Sequence, residues 1–177
     1  MAEFLAIAGG MAAVVQLAGT GRRFSKTLHR FATNAGAAAA EVERFANQVR
    51  TFSDAVEVAE QTLSSYCQVY PKSPLVAYIG RCKILASIDN ETRAVRAHLR
   101  AIQARVVNME SRSVLWASFK WTMNKSSILE LSPEMESVKS NLGLLISTTH
   151  FEAFMRTFEA RMQSGSEEEN KQLKKQL

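Results

Sequence analysis

The chain has 177 residues, with 22 Lys and Arg against 17 Asp and Glu for a net charge of +5, and 46% apolar residues. That length suits one domain with a real core, and the composition is that of an ordinary globular protein. Three prolines and eight glycines punctuate too little for a β-rich fold, and two cysteines, Cys67 and Cys82, are too few for a disulfide framework, which points to a cytoplasmic setting.

The first element is apolar. Residues 4–21 carry no charge, and Arg22, Arg23, Lys26 and Arg30 follow as a cationic collar. Phe4, Ile7, Met11, Val14, Leu17, Phe24, Leu28 and Phe31 recur at steps of three and four, which predicts one long amphipathic helix. The acid at Glu3 and the bases after the apolar run are the wrong order for a secretory signal. As a membrane span the run sits near the lower length limit, and its alanines and glycines gain little from lipid. Its glycines also weaken an isolated helix by up to about 1 kcal/mol each, so it needs neighbours. Phe4, Leu5, Ile7, Met11, Val14, Val15 and Leu17 are therefore candidates either for a bundle core or for a membrane or subunit contact. Small-residue spacings such as Ala6 with Gly10 suit close helix contact in either setting.

A second helix begins near Ala37. Val42, Phe45, Val49, Phe52, Val56, Ala59 and Leu63 form an unbroken apolar stripe. Pro71 and Pro74 forbid continuation, and Ser73-Pro74 opens a third helix, with serine as cap and proline in the first helical position. Ile79, Cys82, Leu85, Val95, Leu99, Ile102, Val106 and Met109 carry its stripe, with a phase slip or kink expected at Asp89-Asn90. A short aromatic segment follows, from Val114 through Trp116, Phe119 and Trp121 to Met123. A last helix, capped by Ser126 or Ser132, carries Met135, Val138, Leu142, Leu145 and Thr149, with Phe151, Phe154 and Phe158 beyond. Residues 164–177 read as a polar, disordered tail. The expectation is an all-α bundle of four to five long antiparallel helices over residues 1–163.

Charge is uneven. Residues 36–70 hold five acids and two bases, whereas residues 72–125 hold ten bases and three acids. Arg93, Arg96 and Arg100 line one helix face that suits anionic head groups or an acidic partner helix, or else is ordinary solvated surface. Acidic pairs such as Glu41 with Glu43, and Glu57 with Glu60, read as solvated. The chain lacks a phosphate-binding loop, a nucleophile elbow, a Cys-x-x-Cys pair and a metal-binding histidine pair, and His29, His98 and His150 are scattered. No catalytic, cofactor-binding or metal-ligating residue is assigned, and the chain reads as a non-enzyme. Nucleic acid fits poorly, since Trp116, Phe119, Lys120 and Trp121 read better as bundle anchors than as a stacking platform.

The opening Met1-Ala-Glu-Phe-Leu-Ala-Ile-Ala8, running into Ala12-Ala-Val-Val-Gln-Leu-Ala18, resembles the start of the fungal HeLo-like domain that heads STAND, or NLR-like, proteins and a relative in azaphilone pigment clusters. The stretch Leu115-Trp-Ala-Ser-Phe-Lys-Trp-Thr122 and the later Ser140-Asn-Leu-Gly-Leu-Leu-Ile146 extend the resemblance over residues 1–163. It implies an all-α bundle that self-associates or pairs with an NLR-type protein. It also implies membrane targeting in programmed cell death and incompatibility, through a released N-terminal helix spanning residues 4–18. Phe4, where relatives often carry proline, and Gly9-Gly10 depart from the pattern. No nucleotide-binding module follows, so the resemblance predicts a stand-alone executor, a recruited adaptor or a remnant, acting in the cytoplasm or recruited to the plasma membrane. The alternative is a soluble interaction scaffold with the first helix permanently buried.

Overall fold

A computed structural model describes the backbone of residues 2–81, 84–110 and 113–164, with side chains for residues 11–79, 84, 86–108 and 113–163. Among these residues the chain is helical throughout: α1 (Ala2–Ala32), a 3-10 turn (Gly36–Ala38), α2 (Ala39–Val69), α3 (Pro74–Arg81), α4 (Ile84–Glu110), α5 (Val114–Leu129) and α6 (Leu131–Ser164). The predicted all-α bundle is what forms. Cys82 and residues 165–177, most of the predicted tail, lie outside the described residues.

Four helices make the body. The close seams are α1 with α2, α1 with α4, α2 with α6, and α4 with α6. Short connections make consecutive long helices antiparallel: Arg22 reaches Asp54 while Ser25 bonds the Ala46 carbonyl. The other two seams join helices running the same way. Gln16 meets Arg96 and Thr27 meets Gln103 across α1 and α4. Across α2 and α6, Phe52 shares a groove with Met135, and Tyr66 reaches toward Glu152 through Ser73.

The stripes read from the sequence are the core. Val14, Leu17, Phe24, Leu28 and Phe31 of α1 are fully buried against Val42, Val49 and Val56 of α2 and Leu99, Ile102 and Val106 of α4. Phe24 meets Phe45 edge-on with ring centres 6.3 Å apart, and Trp121 of α5 lies 6.2 Å from Phe31 and 6.4 Å from Phe45. Gly21 sets the α1/α2 spacing, because a Cβ there would stand 2.1 Å from the hydroxyl of fully buried Ser53. Gly36 turns the chain between α1 and α2 at φ +55°, a left-handed conformation that other residues resist.

Three local expectations need correction. Helix α4 runs unbroken through Asp89-Asn90, where the Asp89 carboxylate pairs with Arg93 instead of interrupting the helix. The aromatic segment is a full helix, α5, of 16 residues. The last helix starts at Leu131, so Ser126 lies inside α5 and Ser132 inside α6 and neither is its cap; only Glu130 separates the two helices, and Pro133 falls in the first turn of α6, where its missing N–H forfeits no intrahelical bond.

Candidate interaction surfaces

The N-terminal candidates divide by face. Met11, Val14 and Leu17 belong to the core, whereas Val15 points outward and is half exposed. The side chains of Phe4, Leu5 and Ile7 lie outside the described residues. Among the described residues, no helix is long and apolar enough to cross a membrane.

The collar does not act as one group. Arg22 bonds Asp54 at 3.1 Å and grips Glu57, so it staples α1 to α2, and these bonds hold its guanidinium above its ordinary pKa. Arg23, Lys26 and Arg30 are exposed. The arginine ladder of α4 also splits: Arg93 pairs with Asp89 at 2.7 Å, Arg96 donates to Gln16 of α1, and Arg100 is exposed. Glu91 instead accepts from Asn141 of α6 at 2.9 Å.

Of the four acids expected to be solvated, Glu43 is exposed, whereas Glu41, Glu57 and Glu60 are engaged. Glu41 accepts from Lys125 at 2.5 Å and from the Trp121 indole at 3.2 Å, and the Lys125 bond is the main reason its carboxyl sits below its usual pKa. Glu57 holds Arg22, and Glu60 accepts from Ser64. Sequence reading missed these bonds because their donors lie on other helices or one turn away, on no common motif.

A second cluster was also not legible beyond its cap. Ser73 opens α3 as predicted, its hydroxyl oxygen accepting from the backbone N–H of Leu75 and Val76 at 3.0 and 3.3 Å. Its single proton goes to Glu152 of α6 at 2.8 Å, so the Tyr66 hydroxyl, 3.1 Å away, must donate to it. Arg156 closes the cluster, bonding Glu152 at 2.8 Å and standing 5.7 Å over the Tyr70 ring. Burial pushes the Tyr66 phenol up to about 12. Burial also pulls the Glu152 carboxyl upward, but the nearby Tyr66 hydroxyl and the bonds from Ser73 and Arg156 outweigh it and leave the group lowered. Every donor and acceptor named here has a partner, so the cluster is a clamp tying the α2–α3 turn to α6. The chain supplies no activated nucleophile there.

The remaining candidates are not brought together. His98 lies 3.1 Å from Glu134, and His150 sits at the surface, lining a groove with Tyr66 and Tyr70. No group of three potential metal ligands occurs among the described residues. Cys67 is half buried, and burial pushes its thiol up, away from reactivity.

Two apolar surfaces face outward. On α5, Leu115 is 84% exposed, and Phe119, Met123 and Val114 are at least half exposed. Trp116 stacks on Phe119 at 5.7 Å, and the Lys120 ammonium lies 5.0 Å from the Trp116 ring centre. On α6, Leu144, Phe151 and Phe154 are exposed. Leu144 also borders a cleft of about 480 Å³ between α3, α4 and α6, lined by Leu75, Tyr78, Ile79, Ile88 and Leu145.

Comparison with known proteins gives no match to a family model, a curated protein or a solved structure.

Proposed function

We propose that this chain is a non-enzymatic helical interaction module whose first helix stays in the bundle, an adaptor that presents its outer helix faces to partners. The observation that supports this reading is the double packing of α1. Met11, Val14, Leu17, Phe24, Leu28 and Phe31 are buried between α2 and α4. Each contributes about 1.5–3 kcal/mol by burial, so freeing the helix into water costs roughly 10–20 kcal/mol, comparable to or above the whole stability of a typical domain.

A second reading follows the resemblance to the fungal HeLo-like domain: a signalling module that self-associates or joins an NLR-type protein and targets a membrane by releasing α1. One feature of the helix favours it. Thr20, Gly21, Ser25 and Thr27 lie on the buried face among the apolar residues, so releasing α1 exposes less apolar surface than releasing a wholly apolar stripe would. Hydrogen exchange separates the two readings. The adaptor reading expects amides of residues 11–31 to stay protected as strongly as those of residues 95–106, with or without anionic vesicles. Selective loss of protection in α1 when vesicles are added rejects it in favour of release.

A further inference from the structure

We propose that the cleft between α3, α4 and α6 binds a small uncharged, mainly apolar molecule that carries one hydrogen-bond donor, such as a phenol or an arylamine. The inference goes beyond the adaptor reading and holds whether or not α1 stays in the bundle.

The cleft exists because α3 is short and packs on α1 and α4 without a close seam to α6. Its floor is Ile79, Ile88 and Leu145, all buried, and Tyr78 of α3 and Leu144 of α6, both more than half exposed, flank its mouth. Along α4 the lining runs from Ile84 to Glu91, a rise of about 10 Å. A helix with its side chains is about 10–12 Å across, as wide as the cleft is long, so a partner helix does not enter it. The volume of about 480 Å³ instead falls within the range of roughly 300–1,000 Å³ typical of small-ligand sites.

The polar groups of the wall select the ligand. Helices α4 and α6 run antiparallel, as the Glu91–Asn141 and His98–Glu134 contacts show, so Glu91 and Asn141 close one end of the cleft and Thr148 lies toward the other. Both ends present acceptors. The Glu91 carboxylate takes one hydrogen bond from Asn141, at 2.9 Å, of the roughly four it can accept. The Thr148 hydroxyl gives its proton to the Leu144 carbonyl, also at 2.9 Å, and keeps its lone pairs for another donor. A ligand that fits therefore brings the donor. The carboxylate repels an anion, and apolar walls on a protein of net charge +5 disfavour a cation, which leaves a neutral molecule.

The full chain is titrated with N-phenyl-1-naphthylamine, an uncharged arylamine with one N–H, and the probe's emission is followed. The expected result is saturable binding of a single probe per chain, with enhanced and blue-shifted emission. Ser87→Trp and Thr148→Trp place a large side chain at exposed positions on opposite walls. Each should keep its helical circular dichroism, fill the cleft and weaken binding at least about tenfold. The analogue 1-phenylnaphthalene, which lacks the N–H, should compete at least about tenfold more weakly, the worth of a hydrogen bond to a charged group. Leu115→Ser and Phe154→Ser, on the other exposed apolar faces, should leave binding unchanged. Absence of saturable binding, several probes per chain, or undiminished binding by both folded tryptophan variants overturns the proposal. Equal competition by 1-phenylnaphthalene, or loss of binding in Leu115→Ser or Phe154→Ser, overturns it as well.

Discussion

At the scale of single residues, the Tyr66–Ser73–Glu152–Arg156 clamp makes stability depend on pH at both extremes. Glu152 has a lowered pKa in the folded protein, so its contribution is complete above the unfolded carboxyl value and is lost as pH falls through the lower folded one. Tyr66 behaves oppositely. Its phenol is raised from 10 to about 12, so the fold favours the neutral form. That contribution is complete below pH 10 and is lost as pH rises from 10 to about 12. Denaturant midpoints measured across pH should therefore fall at both ends. Glu152→Gln should flatten the acid side, and Tyr66→Phe should flatten the alkaline side. A Tyr66→Phe variant with the same alkaline loss as the parent would show that the phenol is not the group responsible. Ser73 was legible as a cap because serine before proline is a local signal, whereas its partners are 7 and 79 residues away and form no pattern along the chain.

At the scale of elements, α6 is the informative case. Its inner face is Leu131, Met135, Val138, Leu142, Leu145 and Thr149, all buried. A second stripe, Leu144, Thr148, Phe151, Met155, Phe158 and Met162, recurs at steps of four and three on a face turned about 140° away, at 100° per residue. Periodicity marks both stripes as apolar but does not say which one meets the body; packing against α2 and α4 decides that. The contrast is sharpest between adjacent residues, since Leu144 is 71% exposed and Leu145 is 7% exposed. Leu145→Ala should cost about 2–5 kcal/mol, and Leu144→Ala should stay within about 0.5 kcal/mol, both measured by urea unfolding. Equal costs would mean that a partner, such as a second copy, covers the outer face in solution. Helix α5 shows the same limit. Trp116 and Trp121 look alike in the sequence, and one is a core anchor while the other lies outside.

At the scale of the whole molecule, the fold was legible because four apolar stripes of similar length have only one another to bury against. What the stripes do not encode is which helices become neighbours. That α1 lies beside both α2 and α4 follows from side chains such as Arg22, Gln16 and Thr27, whose partners on α2 and α4 carry no sequence signature. This arrangement makes α1 central rather than peripheral, and it fixes the outcome of placing a charge within it. Leu17 is fully buried, so Leu17→Glu leaves a carboxylate in the core without a counter-ion, a defect of several kcal/mol that approaches the stability of the domain. Because α1 packs on both α2 and α4, which in turn hold α6, the loss should spread through the whole bundle. Helical circular dichroism should collapse, and emission of Trp121, packed on Phe31, should shift to the red in the same transition. If α1 were instead a loosely docked arm, Leu17→Glu would detach it alone. Trp121 emission and the protection of α2, α4 and α6 would then survive, and the bundle would have to be regarded as three helices with a detachable fourth.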